Sequence, residues 1–172
     1  MLLLIYVIVS SSYRVDEEYE YVGSDACHVC HESEDCGNQT AVWMKGPHAR
    51  AYRSLGSGLA KKHAQKILGK DVEPQKHEVC LHCHSTAGEL DEEHKGASYD
   101  MNEGVGCEAC HGPGSAYSKL DIMKSPEKFL TKGGIKDYKI CQKCHENGCV
   151  VTDIDKLKES YKKLLHPVNK KD

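Results

Sequence analysis

The chain has 172 residues, 23 of them basic and 26 acidic, and a formal net charge of −3. This length predicts one compact domain, and the near balance of charges excludes the basic surface that nucleic-acid-binding proteins present. A single Trp and a single Phe predict a thin apolar core, whereas ten Cys and eleven His point to metal or redox chemistry.

An apolar run at residues 2–9, followed by three serines, opens the chain. Its length matches the apolar region of an export signal and is far below the ~20 residues of a membrane span. The alternative is a buried β-strand, because the run is rich in β-branched residues. We interpret residues 1–20 as a signal-like segment with a short linker and residues 21–172 as a single domain. Membrane contact is expected only through this segment, if it stays uncleaved.

One five-residue unit, C-x-x-C-H, occurs four times. Each unit supplies two cysteines and a final histidine: Cys27, Cys30 and His31; Cys80, Cys83 and His84; Cys107, Cys110 and His111; Cys141, Cys144 and His145. Two thiols at this spacing can add across the two vinyl groups of haem, and the adjacent imidazole then reaches the iron as its proximal ligand. The repeats predict four covalently attached c-type haems.

Two other kinds of site also use paired cysteines, but neither explains the full motif. A zinc ribbon also uses paired C-x-x-C units, but it gives no reason for a histidine directly after every pair. A thioredoxin-like redox pair needs one unit in a βαβ context rather than four units. The haem interpretation also predicts an extracytoplasmic protein, periplasmic or extracellular, because haem c is normally attached outside the cytoplasm.

The second axial ligand of each iron is less constrained than the first. Seven histidines lie outside the motifs' final positions: His28, His48, His63, His77, His82, His94 and His166. This surplus favours two histidines per iron, the ligation typical of low-spin electron transfer, whereas a methionine such as Met123 would raise the potential. Cys36 and Cys149 remain outside the motifs, and they form a disulfide between the two ends of the fold or stay as free thiols.

Three helices are predicted in chain order. Residues 57–69 carry an apolar face that includes His63 and end at a glycine, and Ser125 with Pro126 starts a second helix that ends near Gly133. Residues 153–165 follow helical spacing up to His166, which stands where a ligand could be delivered inward. We therefore predict a mostly α, loop-rich multihaem cytochrome c fold with little sheet and a core filled by four haems.

Three stretches resemble the tetrahaem cytochrome c-554 family: YVGSDACHVCH, WMKGPHARAY and GVGCEACHGPGSAY. The C-terminal helix with His166 and Pro167 is similar to that of related tetrahaem cytochromes, some of which polymerise into extracellular nanowire filaments. The resemblance implies an all-α fold with closely stacked haems. It also implies that His48 and His166 are distal iron ligands.

One departure from that family concerns the distal ligands. The c-554 type takes a distal histidine from the segment after the third haem, but this chain has no histidine between His111 and His145. The remaining candidates for that ligand are Met123, His77, His82, His94 or a histidine lent by a neighbouring subunit. The last alternative favours self-assembly into a homopolymer.

These features predict an electron carrier rather than an enzyme. It would exchange electrons with donor and acceptor proteins or with extracellular acceptors, either as a unit of an electron-conducting filament or as a soluble periplasmic shuttle. The alternative is a multihaem oxidoreductase, which would need an open haem iron.

Overall fold

The computed structural model describes residues 19–69, 71–146 and 153–165. Within these ranges the chain folds into ten α-helices joined by loops and short 3₁₀ turns: α1 Ser24–His31, α2 Gln39–Lys45, α3 Ala51–Ser54, α4 Gly58–Leu68, α5 Glu78–His84, α6 Cys107–His111, α7 Leu120–Met123, α8 Pro126–Thr131, α9 Gln142–His145 and α10 Ile154–Leu164. An isolated bridge joins Tyr21 and Lys95. The mostly α, loop-rich fold class is confirmed. Most of the predicted signal-like segment, residues 1–18, lies outside the described ranges.

The three predicted helices are present as α4, α8 and α10, and side chains cap their first turns. The Ser57 hydroxyl accepts a hydrogen bond from the Ala60 amide at 3.1 Å, and Ser125 does the same for Lys128 at 3.3 Å. Asp153 accepts from the amide two residues later at 2.9 Å. These bonds satisfy amides that the first turn of a helix leaves without partners. None of the helices in the described ranges has the length and apolarity needed to cross a membrane.

Helix α4 differs from its prediction in the face that it buries. Ala64 is its buried residue, while Leu59, His63 and Ile67 are exposed. The helix packs against the Pro74–Lys76 turn, while the large apolar side chains of Leu59 and Ile67 stay exposed. His63 is therefore not a core residue.

The apolar core is small, as the composition predicts. One cluster joins Ala116, Tyr117, Ile122 and Phe129, with Tyr19 packed against it. The rings of Tyr117 and Phe129 meet edge to face with centroids 4.7 Å apart, a favourable arrangement for aromatic pairs. The cluster lies beside the third motif, because the rings of His111 and Phe129 are also in edge contact.

Much of the tightly buried interior is polar. Glu108, Thr86 and Ser24 are among the largest side chains with almost no exposed surface. Ser24 Oγ accepts from the Cys107 amide at 3.0 Å, and Thr86 Oγ1 accepts from the Gly106 amide at 2.8 Å. These bonds join segments beside the first, second and third motifs, so hydrogen bonds hold together a region that has few large apolar side chains.

Candidate haem-binding sites

Each C-x-x-C-H motif lies on a short helical turn of its own. The first three lie on α1, α5 and α6, and the fourth begins in the Tyr138–Cys141 3₁₀ turn and continues into α9. Residues three and four positions apart share one face of a helical turn. Both cysteines and the final histidine of a motif therefore point to the same side, which is the donor set that one covalent haem requires.

In three motifs, the final histidine donates a hydrogen bond through its Nδ1 atom to an oxygen outside the motif: His31 to Gln39 Oε1 at 3.1 Å, His84 to the Ala51 carbonyl at 3.0 Å, and His111 to the Ile135 carbonyl at 3.1 Å. A carbonyl oxygen only accepts, so Nδ1 carries the proton and Nε2 keeps its lone pair. This arrangement orients metal-binding histidines in proteins generally. It leaves Nε2 of each ring available to an iron.

The first and third motifs lie against each other. Helices α1 and α6 pack together, and the thiols of Cys27 and Cys107 are within hydrogen-bonding distance. This hydrogen bond, together with burial, raises the pKa of the Cys27 thiol. The two cofactor attachment points predicted for these motifs are therefore adjacent.

The second and fourth motifs form another adjacent pair. Helices α5 and α9 pack together, and the Cys144 thiol donates to the His82 carbonyl at 3.6 Å. Cys83 lies within hydrogen-bonding distance of Cys144 as well. The Cys110 and Cys141 thiols of the third and fourth motifs also interact electrostatically. The first motif thus neighbours the third, and the second neighbours the fourth.

His48 faces the final histidine of the fourth motif. The ring centroids of His48 and His145 are 6.2 Å apart, and the ring planes cross at 76°. Two imidazoles on opposite sides of one metal place their centroids about 6 Å apart, because each metal–nitrogen bond is about 2 Å long. Burial and the neighbouring His145 lower the pKa of His48, which keeps its ring in the neutral form that binds metals. The pair has the spacing of two axial ligands on one iron.

Comparison with known proteins agrees with this donor set. The family model of cytochrome c554 and c-prime matches residues 26–112. The chain belongs to this family. Its members are c-type cytochromes, so haem c is the cofactor of this protein.

A curated relative covers more of the chain than the family model does. Cytochrome c-554 of Nitrosomonas europaea is 30% identical over 161 aligned residues, which span 81% of this chain and 63% of the relative. The chain therefore matches less than two thirds of that relative's length. No solved structure matches this chain.

The surfaces beside the motifs of this cytochrome suit a large apolar ring. Val29, inside the first motif, is 83% exposed, and Val79, directly before the second, is 54% exposed. A polypeptide gains nothing by exposing large apolar side chains next to paired thiols, whereas covering them with a porphyrin would remove that apolar surface from water. The donor atoms and the apolar surface around them fit haem c.

Two carboxylates, the buried Glu108 and the partly buried Glu103, tie the first motif to the third. Glu108 accepts from the amides of Val22 at 2.8 Å, Gly23 at 2.7 Å and Gly114 at 2.5 Å. Glu103 accepts from the Ser24 amide at 2.7 Å, and its other oxygen is buried without a hydrogen-bond partner. Burial raises the pKa of Glu108, and it raises that of Glu103 to about 7.

Replacing Glu103 with glutamine should flatten the dependence of stability on pH. Because the native pKa is about 7 and the ordinary value is 4.5, the folded state keeps a proton that the unfolded chain has released between these values. Wild-type stability therefore falls as pH rises through this window. Glutamine can still accept from Ser24, but it does not titrate. Chemical denaturation at several pH values between about 5 and 8 should show a smaller slope for Glu103→Gln.

The matched control for that experiment is Glu93→Gln, because the Glu93 side chain is well exposed. Its pH profile should run parallel to that of the wild type. Parallel profiles for Glu103→Gln as well would show that Glu103 does not titrate in this window.

The other predicted ligands have varied surroundings. His77 Nδ1 accepts from the Val79 amide at 3.3 Å at the start of α5, and His82 Nδ1 lies 3.0 Å from Glu89 Oε1. His94 Nε2 lies 4.0 Å from Glu93, and Met123 is partly exposed at the end of α7. Their roles as distal ligands stay predictions.

The predicted ligand His166 and the predicted Cys36–Cys149 disulfide cannot be placed, because His166 and Cys149 lie outside the described residues.

Reasoning from the sequence missed three carboxylates that organise the site: Glu89, Glu103 and Glu108. Glu108 occupies a spacer position of the third motif, where haem attachment requires no charge. A charged residue at that position is the only sequence signal that indicates a structural role for one of the three carboxylates. Glu89 lies in a turn after the second motif and Glu103 in the Met101–Glu103 3₁₀ turn before the third, with no local pattern to mark them. Their importance depends on partners that are distant in sequence.

Proposed function

We propose that this chain is a tetrahaem cytochrome that transfers electrons and binds one haem c at each of its four C-x-x-C-H motifs. The observation that carries the proposal is the packing of the motifs in two pairs, in which Cys27 lies beside Cys107 and Cys144 lies beside Cys83. Bound haem supplies one-electron redox chemistry at its iron. The contribution of the polypeptide is to hold the four attachment points in two closely packed pairs.

The histidines of the chain have two tasks in this proposal. His31, His84, His111 and His145 provide the proximal nitrogens, three of them oriented by their Nδ1 hydrogen bonds. His48 provides the distal nitrogen opposite His145, as their 6.2 Å ring separation supports. Ligation by two histidines favours a low-spin iron that stays six-coordinate in both oxidation states, which suits an electron carrier better than an enzyme.

The cytochrome would work outside the cytoplasm, where haem c is normally attached, and would exchange electrons with donor and acceptor proteins. Polymerisation into an extracellular filament is the more specific form of this proposal. It is supported by the missing histidine between His111 and His145, since a neighbouring subunit could supply that ligand. The alternative form is a soluble periplasmic shuttle with all its ligands in one chain.

A multihaem oxidoreductase is the competing function, and the absence of a histidine between His111 and His145 supports it as well. An iron without a distal ligand would leave a coordination position open to a small molecule. The two functions differ in spin state, because an open position gives high-spin iron that binds cyanide, whereas an iron with two histidines does not.

The deciding experiment is expression of the full chain in a host that attaches haem c, followed by haem quantification and spectroscopy. We expect four haems per polypeptide and low-spin spectra that added cyanide leaves unchanged. Fewer than four haems would overturn the tetrahaem assignment, and a high-spin fraction that binds cyanide would favour the oxidoreductase. Light scattering and electron microscopy on the same material separate the filament, seen as long polymers, from the shuttle, seen as single chains.

A further inference from the structure

A single carboxylate connects the second and fourth motifs. Glu89 Oε1 lies 3.0 Å from His82 Nδ1 and 3.3 Å from Lys143 Nζ. His82 is a spacer residue of the second motif, and Lys143 is a spacer residue of the fourth, 54 positions after Glu89. One side chain therefore binds both motif turns at the place where α5 and α9 pack together.

The environment of Glu89 differs from that of a surface ion pair. Its side chain is 17% exposed, compared with 56% for Glu73, which pairs with Lys61 at 2.9 Å. The second oxygen of Glu89 is buried without a hydrogen-bond partner. The Lys143 ammonium lies 3.3 Å from the Glu89 carboxylate, and the Glu89 side chain is largely withdrawn from solvent. Water therefore screens the negative charge of Glu89 less than that of Glu73.

The position of this charge matters for electron transfer. Its two partners lie next to Cys83 and Cys144, the residues of the second and fourth motifs that approach each other. A nearby negative charge stabilises the oxidised form of a haem, which carries one more positive charge than the reduced form. A charge placed between two attachment points would act on both cofactors.

We propose that Glu89 is a positioning residue that binds the second and fourth motif turns together and lowers the reduction potentials of the two haems attached there. This inference rests on the proposed function, since it requires a haem at each of these motifs. Lys143 and Glu89 have opposite effects on the potentials, because their charges have opposite signs. Loss of a purely structural contact would change the stability of the protein, but it would not shift the reduction potentials in opposite directions in the two variants.

The test compares Glu89→Gln and Lys143→Met with the wild type in spectroelectrochemical titrations of the haem-loaded full chain. Glu89→Gln should raise the potentials of two of the four haems, with about a tenfold change in the equilibrium constant of each one-electron reduction, or about 59 mV. Lys143→Met should lower the potentials of the same two haems. The matched control Glu73→Gln, which removes an exposed ion pair, should change that constant by less than about twofold.

The outcomes separate this inference from the proposed function. Fewer than four haems in the wild type would contradict the proposed function. With four low-spin haems present, unchanged potentials in Glu89→Gln, or shifts in the same direction for both variants, would overturn the role of Glu89. Should Glu89→Gln fail to accumulate, Lys143→Met decides by itself: lowered potentials support the inference, and raised or unchanged potentials overturn it.

Discussion

Truncating Glu108 to alanine should destabilise the folded cytochrome by about 4 kcal/mol, because each buried amide that loses its acceptor costs about 1–3 kcal/mol. Glu108 is 1% exposed and accepts from three amides, those of Val22, Gly23 and Gly114. At this depth bulk water does not reach the three amides in the folded protein. Chemical denaturation of the haem-loaded chain, followed by circular dichroism, measures the change in the free energy of unfolding.

Two further variants show whether the amide bonds of Glu108 are responsible. Glu108→Gln should lose less stability than Glu108→Ala, since one oxygen can still accept from Val22 and Gly114 while the amide nitrogen faces the Gly23 donor. Glu93→Ala, at an exposed position, should stay within about 0.5 kcal/mol of the wild type. Equal stability of Glu108→Ala and Glu93→Ala would show that the carboxylate does not hold the two motifs together.

Replacing His48 should change the iron chemistry of one haem. In the His48→Ala variant, the iron bound by His145 loses its opposite imidazole, so about a quarter of the haem should become high-spin and bind cyanide. In the His48→Met variant, a sulfur ligand should instead raise that haem's potential by on the order of 0.1 V, within the roughly 0.8 V range that axial ligation spans. Electron paramagnetic resonance and spectroelectrochemistry measure these two changes.

The control for His48 is His63→Ala, which removes an exposed histidine on α4. It should leave all haems low-spin and all potentials unchanged. A fully low-spin spectrum from His48→Ala would assign the distal nitrogen of the fourth motif to another residue. A high-spin fraction in His63→Ala would show that α4 supplies a ligand that the described contacts do not reveal.

The buried Glu108 and the partly buried Glu89 suggest a common principle for this fold. Glu108 joins the first motif to the third through backbone amides, and Glu89 joins the second to the fourth through side chains. A protein with few large apolar residues cannot rely on a wide apolar core to fix the distance between its motifs. Hydrogen bonds between residues distant in sequence do so instead, and each also places a charge or dipole near a cofactor attachment point.

Features that depend on neighbouring residues were predictable from the sequence. The C-x-x-C-H spacing, the Ser57 and Gly69 ends of α4, and the Asp153 start of α10 all involve groups within one helical turn of each other. Haem attachment and helix capping are both local, so the residue order alone contains the required geometry. The mostly α fold class follows from the same local signals.

Features that depend on distant residues required the tertiary structure. The amides that Glu108 binds in Val22 and Gly23 are 86 and 85 positions away, and no pattern in the sequence joins them. The same holds for the approach of His48 to His145, the bond from Lys143 to Glu89, and the pairing of the four motifs in space. The sequence by itself determined the chemistry of each attachment point. Only the packing of the chain decided which attachment points are neighbours. Short helices joined by loops can pack in many arrangements, and each of these would leave the four motifs equally able to attach haem.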